Sequence, residues 1–305
     1  MTQEMAEPRS YYGRPVIKEP VWKWEVPLYF FTGGLAGASS VLSLSARLFG
    51  NEKLSRTALY IGAAADVVNP ALLIADLGRP ERFHHMLRVF KVTSPMNVGA
   101  WILLVNGGAS NTAALLELLG RIRPVKTFAH VVAALAGLPL ATYTGVLLSD
   151  TAVPVWHEGR HGLPWIFGAN ATASAGAAAC AFLEPADAVP ARRLAVGAVA
   201  IEAALMQTME RRLGDVGSVY REGAAHKLSR AAKGLAGAGA LLLAARGRRS
   251  RAAATIGGAL VCAGELCLRY AVVAAGSQSA RDPRHTVGPQ RERANRNGTK
   301  VTTKR

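Results

Sequence analysis

The sequence predicts an all-α, polytopic membrane helix bundle of about eight transmembrane helices with a basic C-terminal tail. Three observations predict it. Half of the 305 residues are hydrophobic and only 18% are charged, against about 25% in soluble domains. The apolar residues gather in runs long enough to cross the ~30 Å hydrocarbon of a bilayer, which takes ~20 residues of helix. The charges, net +16, collect between the runs and at the chain end. This composition excludes disorder of the body and a secreted disulfide scaffold.

Residues 1–25 form a polar arm with four acidic and four basic side chains. A signal peptide would begin its apolar core earlier, so the first span is expected to be retained. The bundle then occupies residues 26–275. Charge-free spans are expected at 26–46, 92–116, 127–149 and 162–183. Spans with isolated charges are expected at 57–75 (Asp66), 194–209 (Glu202) and 252–275 (Glu265, Arg269). The eighth, 228–245, has only Gly234–Ala245 free of charge, and Arg230 and Lys233 can snorkel to lengthen it. Residues 276–305 carry eight Lys/Arg against Asp282 and Glu292 and lack apolar runs, so a disordered tail is expected. Eight spans place both chain ends on one side. Lys/Arg number 15 on that side, without the tail, and 12 on the other, too even to fix the orientation. Gly33 and Gly37 make a G-x-x-x-G, and further glycines (Gly34, Gly107, Gly108, Gly176, Gly237, Gly258) fall within spans, as close helix packing in lipid requires.

An ionisable group at bilayer depth is costly and needs a reason. Asp66 stands mid-span with Asn69 beside it, and Pro70 frees the carbonyl of residue 66. That group suits a proton site, a bound water or a cation; the alternative is a kink satisfied by a neighbouring helix. Glu265 and Arg269, four apart, share a helical face and can form a structural ion pair. Glu202 is alone in its span and can be a protonated, hydrogen-bonded group or part of a proton path. Asp66, Glu202 and Glu265 are thus the proton-path candidates.

Tyr143 lies near the end of the fourth span, one turn after Pro139. A phenol among apolar walls can hold a quinone by packing its ring and bonding its oxygen; membrane-interface anchoring is the alternative. The alternation of spans brings Glu25, Tyr29, Asp76, Arg79, Asn97 and Tyr143 to one membrane face. Their convergence on the first four spans, about 26–149, marks a candidate site. The loops on that face, Asp76–His85 and Val153–Gly162, mix Trp, Phe, Arg and His with turn residues, a composition that protein interfaces favour. Arg79, Arg82, Trp156 and His157 are their candidate partner-docking residues.

Three cysteines, Cys180, Cys262 and Cys267, cannot ligate an iron–sulfur cluster of the four-Cys kind. Only His130 of seven histidines lies within a span, so a bis-histidine haem is not expected, nor any other metal site. No P-loop or dinucleotide fingerprint is present in a suitable context, and the basic tail lacks the aromatics of a single-strand nucleic-acid binder.

The segments Tyr11-Tyr12-Gly13-Arg14-Pro15, Trp22-Lys23-Trp24-Glu25-Val26-Pro27-Leu28-Tyr29 and Gly33-Gly34-Leu35-Ala36-Gly37 resemble the start of the NrfD/PsrC family. Asp76-Leu77-Gly78-Arg79-Pro80, Ser94-Pro95-Met96 and Tyr143-Thr144-Gly145-Val146-Leu147-Leu148-Ser149 fit the same pattern, and the likeness covers roughly residues 11–180. These are membrane subunits of polysulfide-reductase-like complexes. The resemblance implies an eight-helix plasma-membrane anchor that binds a quinone, menaquinone or ubiquinone. It implies electron exchange with a peripheral four-cluster iron–sulfur subunit, itself joined to a molybdopterin-type catalytic subunit. It assigns Tyr143 to the quinone and leaves redox metal to the partners. Polar residues early in the first helix contact quinone in relatives; here that region offers Glu25 and Tyr29. Asp76 and Arg79 match the loop that shapes the cavity mouth and docking face, which is extracytoplasmic in relatives. Two alternatives remain: a docking anchor without quinone turnover, and an ion or solute transporter using the buried carboxylates.

Overall fold

The structure, a computed structural model, describes residues 17–285. The motif at Tyr11–Pro15 and the tail beyond His285 lie outside the described residues. Each expected apolar run is helical, because lipid offers no partner to backbone N–H and C=O groups and a helix satisfies them internally.

Eight long helices are present among the described residues: α1 (Glu25–Leu48), α2 (Glu52–Asp76), α3 (Pro95–Leu119), α4 (Arg123–Ser149), α6 (Leu163–Phe182), α7 (Val189–Arg212), α8 (Gly223–Ala245) and α9 (Arg251–Arg281). A five-residue helix, α5 (Pro154–Glu158), and two 3-10 segments, 80–87 and 214–221, lie between them. Five helices, α1–α4 and α9, are long and apolar enough to cross a membrane. The others match the expected spans in position but carry less apolar surface. α6 is rich in alanine, α7 bears Arg192, Arg193, Arg211 and Arg212 near its ends, and α8 bears Lys227, Arg230 and Lys233 in its first half.

Local signals set the ends. Asn51 caps α2 by accepting from the Leu54 N–H at 3.0 Å. Ser94 and Ser250 cap α3 and α9 in the same way, at 3.4 and 3.2 Å. The last helix does not stop at 275, as its apolar run does. It continues to Arg281 because Arg281 pairs with Glu19 and Ser279 bonds back to the Gly276 carbonyl.

α1–α4 pack as one four-helix group, and α6–α9 as a second. α1 and α4 join them by packing on α6, and α1 also reaches α9. Close approach depends on small residues. A Cβ on Gly37 would stand 2.6 Å from the Gly137 carbonyl of α4, so these backbones touch with no room for side chains. Gly108 and Gly237, by contrast, face open space.

The chain ends are clasped at one face. Trp22 stacks on Trp156 at 5.2 Å between ring centroids, and Trp156 Nε1 donates to the Val272 carbonyl at 2.8 Å. The Tyr270 hydroxyl donates to the Trp24 carbonyl at 2.8 Å. Arg281 grips the Glu19 carboxylate through two donors at 2.5 and 2.7 Å. That hydrogen-bonded guanidinium holds the Glu19 carboxyl below the usual carboxylate range.

Candidate functional site

Tyr29 on α1 and Tyr143 on α4 meet inside the first helix group, with their phenols close enough to act on each other electrostatically. Both are buried. Tyr143 fits because residue 99 of α3 is glycine: a Cβ there would overlap the phenol ring. α3 thus supplies a notch, α4 the ring and α1 the second phenol.

One turn along α1, Thr32 donates to Asn69 Oδ1 at 2.6 Å. Asn69 Nδ2 in turn donates to Asp66 Oδ1 at 3.5 Å, and Ser110 on α3 donates to Asp66 Oδ2 at 2.6 Å. Asp66 is 3% exposed and lies near enough to Tyr29 to act on it electrostatically. The neighbouring-helix alternative for Asp66 is therefore met in part: Ser110 is the satisfying group. Thr32 also lines a lipid-facing apolar groove of about 610 Å³ between α1, α2 and α6, whose walls include Leu35, Ile61, Val68 and Phe182.

A second polar cluster lies in the other helix group. Asn170 of α6 donates to Glu265 of α9, at a carboxylate oxygen and, at 3.1 Å, at the carbonyl. Its own Oδ1 accepts from Arg269 Nε at 2.8 Å. Arg269 also donates to the Phe167 carbonyl at 3.0 Å and lies 3.8 Å from the centroid of the Phe167 ring. Glu202 of α7 reaches in beside Glu265, close enough for the two carboxyls to act on each other. The expected Glu265–Arg269 pair is thus corrected: Asn170 stands between the two groups. Glu202 is not alone in space either, although it is alone in its span. Oxygens of both carboxyls and Nη1 of Arg269 are buried without a partner.

The expected ring of polar residues assembles only in part. Tyr29 and Tyr143 come together. Glu25, one turn before Tyr29 on α1, is buried with Oε2 unpartnered. Asp76 is half-buried at the end of α2, and neither its side chain nor that of the exposed Arg79 makes a hydrogen bond or ion pair among the described residues. Asp76 stands ten residues past Asp66, about 15 Å along the helix. Asn97 serves the loop instead: it donates to the Met86 carbonyl at 2.7 Å and accepts from the Lys91 N–H at 2.7 Å, which holds segment 80–91 against α3.

Arg82 and His157 are exposed, on the 3-10 segment 80–87 and on α5. Trp156 does not belong with them. It is 0% exposed, packed against Gly276 and Trp22, so it clasps helices and offers no docking surface. His130 is engaged at both ring nitrogens, with Ser43 at 2.7 Å and Arg47 at 3.3 Å. No group of three or more His, Cys, Asp or Glu side chains among the described residues could hold a metal ion.

Gly99, Thr32, Ser110 and Asn170 escaped the sequence reading, which followed ionisable groups. Their signal was present but weak: neutral polar residues inside otherwise apolar runs, and a glycine one turn into a helix.

Two packed helix groups with buried carboxyls and lipid-facing apolar grooves define a polytopic membrane protein with a polar interior. The family model described as polysulfide reductase, of the NrfD type, matches residues 9–281. The chain belongs to that family, whose membership points to a membrane subunit of a multi-subunit oxidoreductase. No curated protein matches the chain.

Proposed function

We propose that this chain is the quinone-reactive anchor of its complex, placed in the plasma membrane. It would pass electrons between menaquinone or ubiquinone and a peripheral four-cluster iron–sulfur subunit, with a molybdopterin-type subunit as the catalytic partner. The observation that carries this reading is the Tyr29–Tyr143 phenol pair in the Gly99 notch, beside the Thr32–Asn69–Asp66–Ser110 chain.

The residues fit such a ligand. A quinone needs apolar walls and one or two donors for its oxygens. The groove at Thr32 supplies the walls and carries the hydroxyls of Thr32, Thr57 and Tyr60 in its lining, and Tyr29 lies one turn before Thr32 on the same helix. When bound, the quinone ring supplies two-electron, two-proton redox chemistry. Tyr143 donates a hydrogen bond to a quinone oxygen, and Tyr29 orients the Tyr143 hydroxyl. Gly99 keeps that phenol in place, and the bundle excludes water around it. Asp66 is an acceptor held by two neutral donors, so it can hold a proton without a counter-ion. Asp76 and Glu25 stand nearer the membrane face, where protons exchange with solvent. Arg79, Arg82 and His157 are the exposed groups that meet the partner.

The carboxyl pair Glu202–Glu265 supports proton handling in the second helix group. Two adjacent buried carboxyls are expected to share a proton, because two buried anions beside a single arginine would leave an uncompensated charge.

The test is Tyr143→Phe in the assembled complex. The ring and the packing are kept and one hydrogen bond is lost, so quinone turnover is expected to fall roughly tenfold. Assembly with the partner subunits should not change. Unchanged turnover would overturn the assignment and leave the docking-anchor reading.

A further inference from the structure

At the membrane face opposite the chain-end clasp, three arginines surround one cavity. Arg192 and Arg193, in the first turn of α7, and Arg248, just after α8, line a space of about 550 Å³ with apolar Val196 and Ala244. Arg192 is buried and spends one donor on the Pro185 carbonyl at 3.2 Å. Arg193 and Arg248 have no carboxylate partner among the described residues. The acids nearby in sequence are already engaged, Asp187 by Lys53 at 2.8 Å and Glu184 by Arg251 at 3.9 Å. The site therefore carries unneutralised positive charge.

Its second property is continuity. Arg193 and Gly197 also line a neighbouring groove of about 540 Å³ between α4, α6 and α7, which includes Leu138, Trp165, Ile201 and Leu205. From Arg193 to Leu205 the helix rises about 18 Å. That is slightly more than one leaflet of a ~30 Å hydrocarbon core. A basic cavity at the interface opens into an apolar groove that runs toward the bilayer centre.

We propose that this paired cavity and groove binds one anionic phospholipid. The phosphate sits among Arg192, Arg193 and Arg248, and one acyl chain lies in the groove along α7. Basic pockets between membrane helices recognise such head groups, and arginine matches phosphate geometry with several donors. A neutral lipid would leave the guanidinium groups unanswered. A free phosphate would leave the groove unused. The proposal is independent of the quinone reading, which rests on Tyr29, Tyr143 and the groove at Thr32, none of which line this cavity or its groove.

The experiment is native mass spectrometry of the complex released from phosphatidylglycerol/phosphatidylcholine nanodiscs into mild detergent. Phosphatidylglycerol is expected to stay at about one per chain while phosphatidylcholine washes away, because the pocket's charges are answered only by the anionic lipid. The double variant Arg193→Gln/Arg248→Gln should lose retention by roughly tenfold or more, since each arginine at the surface contributes to anionic-lipid binding. Ile201→Trp, which fills the groove and leaves the arginines, should also release the lipid. Arg246→Gln/Arg249→Gln, which removes the same charge from the same turn outside the cavity, should not. Equal retention of both lipids would overturn the proposal, as would wild-type retention in the Arg193/Arg248 variant. Displacement of the lipid by millimolar inorganic phosphate would reassign the pocket to a free anion.

Discussion

In the α1–α4 group, Asp66 is held by Ser110 and Asn69, both neutral, with no charged partner among the described residues. In the α6–α9 group, Glu202 and Glu265 lie beside each other, and Arg269 is tied to them through Asn170. Both solutions bury carboxyls, by different physics. The first removes the need for charge by offering donors to a single acid. The second concentrates charge and must balance it. A single donor-held acid can gain or lose a proton at modest cost to packing. In a cluster of two acids and one arginine the protonation of each acid depends on the other members, so a change at one member is felt by all.

The comparison breaks most sharply at Arg269. Arg269→Met should leave the two acids without a counter-charge and cost about 3–5 kcal/mol, read as a lowered unfolding temperature in detergent. Adding Glu202→Gln and Glu265→Gln to that variant should restore most of the loss. Failure of that rescue would show that Arg269 acts by filling space beside Phe167 rather than by charge.

Gly99→Ala tests the packing of the first group. The added methyl meets the Tyr143 phenol, and overpacking of this kind costs about 1–3 kcal/mol. Combined with Tyr143→Ala, which empties the notch, the two costs should not add. Additive losses would mean that the notch and the ring are uncoupled.

Asp66→Asn should cost no more than about 1 kcal/mol of stability, since the site already satisfies a neutral group. A loss as large as that of Arg269→Met would erase the contrast between the two groups.

The smallest effect is at the clasp. The Glu19 carboxyl is held below its unfolded value, so its pairing with Arg281 stabilises above that unfolded value. The contribution fades as pH falls through the lower folded value. The pair is largely exposed, so Glu19→Gln should cost less than about 1 kcal/mol at neutral pH. It should leave acid stability unchanged, as thermal scans across pH would show.

Helix positions were legible in the sequence because run length alone carries them: every expected span falls on a helix of the structure, although 92–94 precede α3, where Ser94 caps the helix, and 162 and 183 flank α6. The end of α9 was not, since Arg281 is held by Glu19, 262 residues away, and no local pattern encodes that. Tyr29 and Tyr143 were legible as members of one face. The notch at Gly99 was not, because a glycine's meaning depends on what is packed against it. Trp156 was misread for the same reason. A Trp-His-Glu segment between spans has the composition of a surface, and only Trp22 and Gly276 show that its ring is inside. Glu202 and Glu265 were each legible as costly and therefore significant, but their meeting depends on α7 and α9 both facing Asn170.

The clasp joins residues 19–24 to α5 and to α9, and most of the chain lies between the arm and α9. During synthesis Trp22 and Trp24 emerge first, and Val272 and Tyr270 emerge nearly last. The face built from them cannot exist on a nascent chain, whatever helices have already entered the bilayer. Closure of that face is therefore a report that insertion is complete, and a chain truncated before α9 would reach the membrane without it.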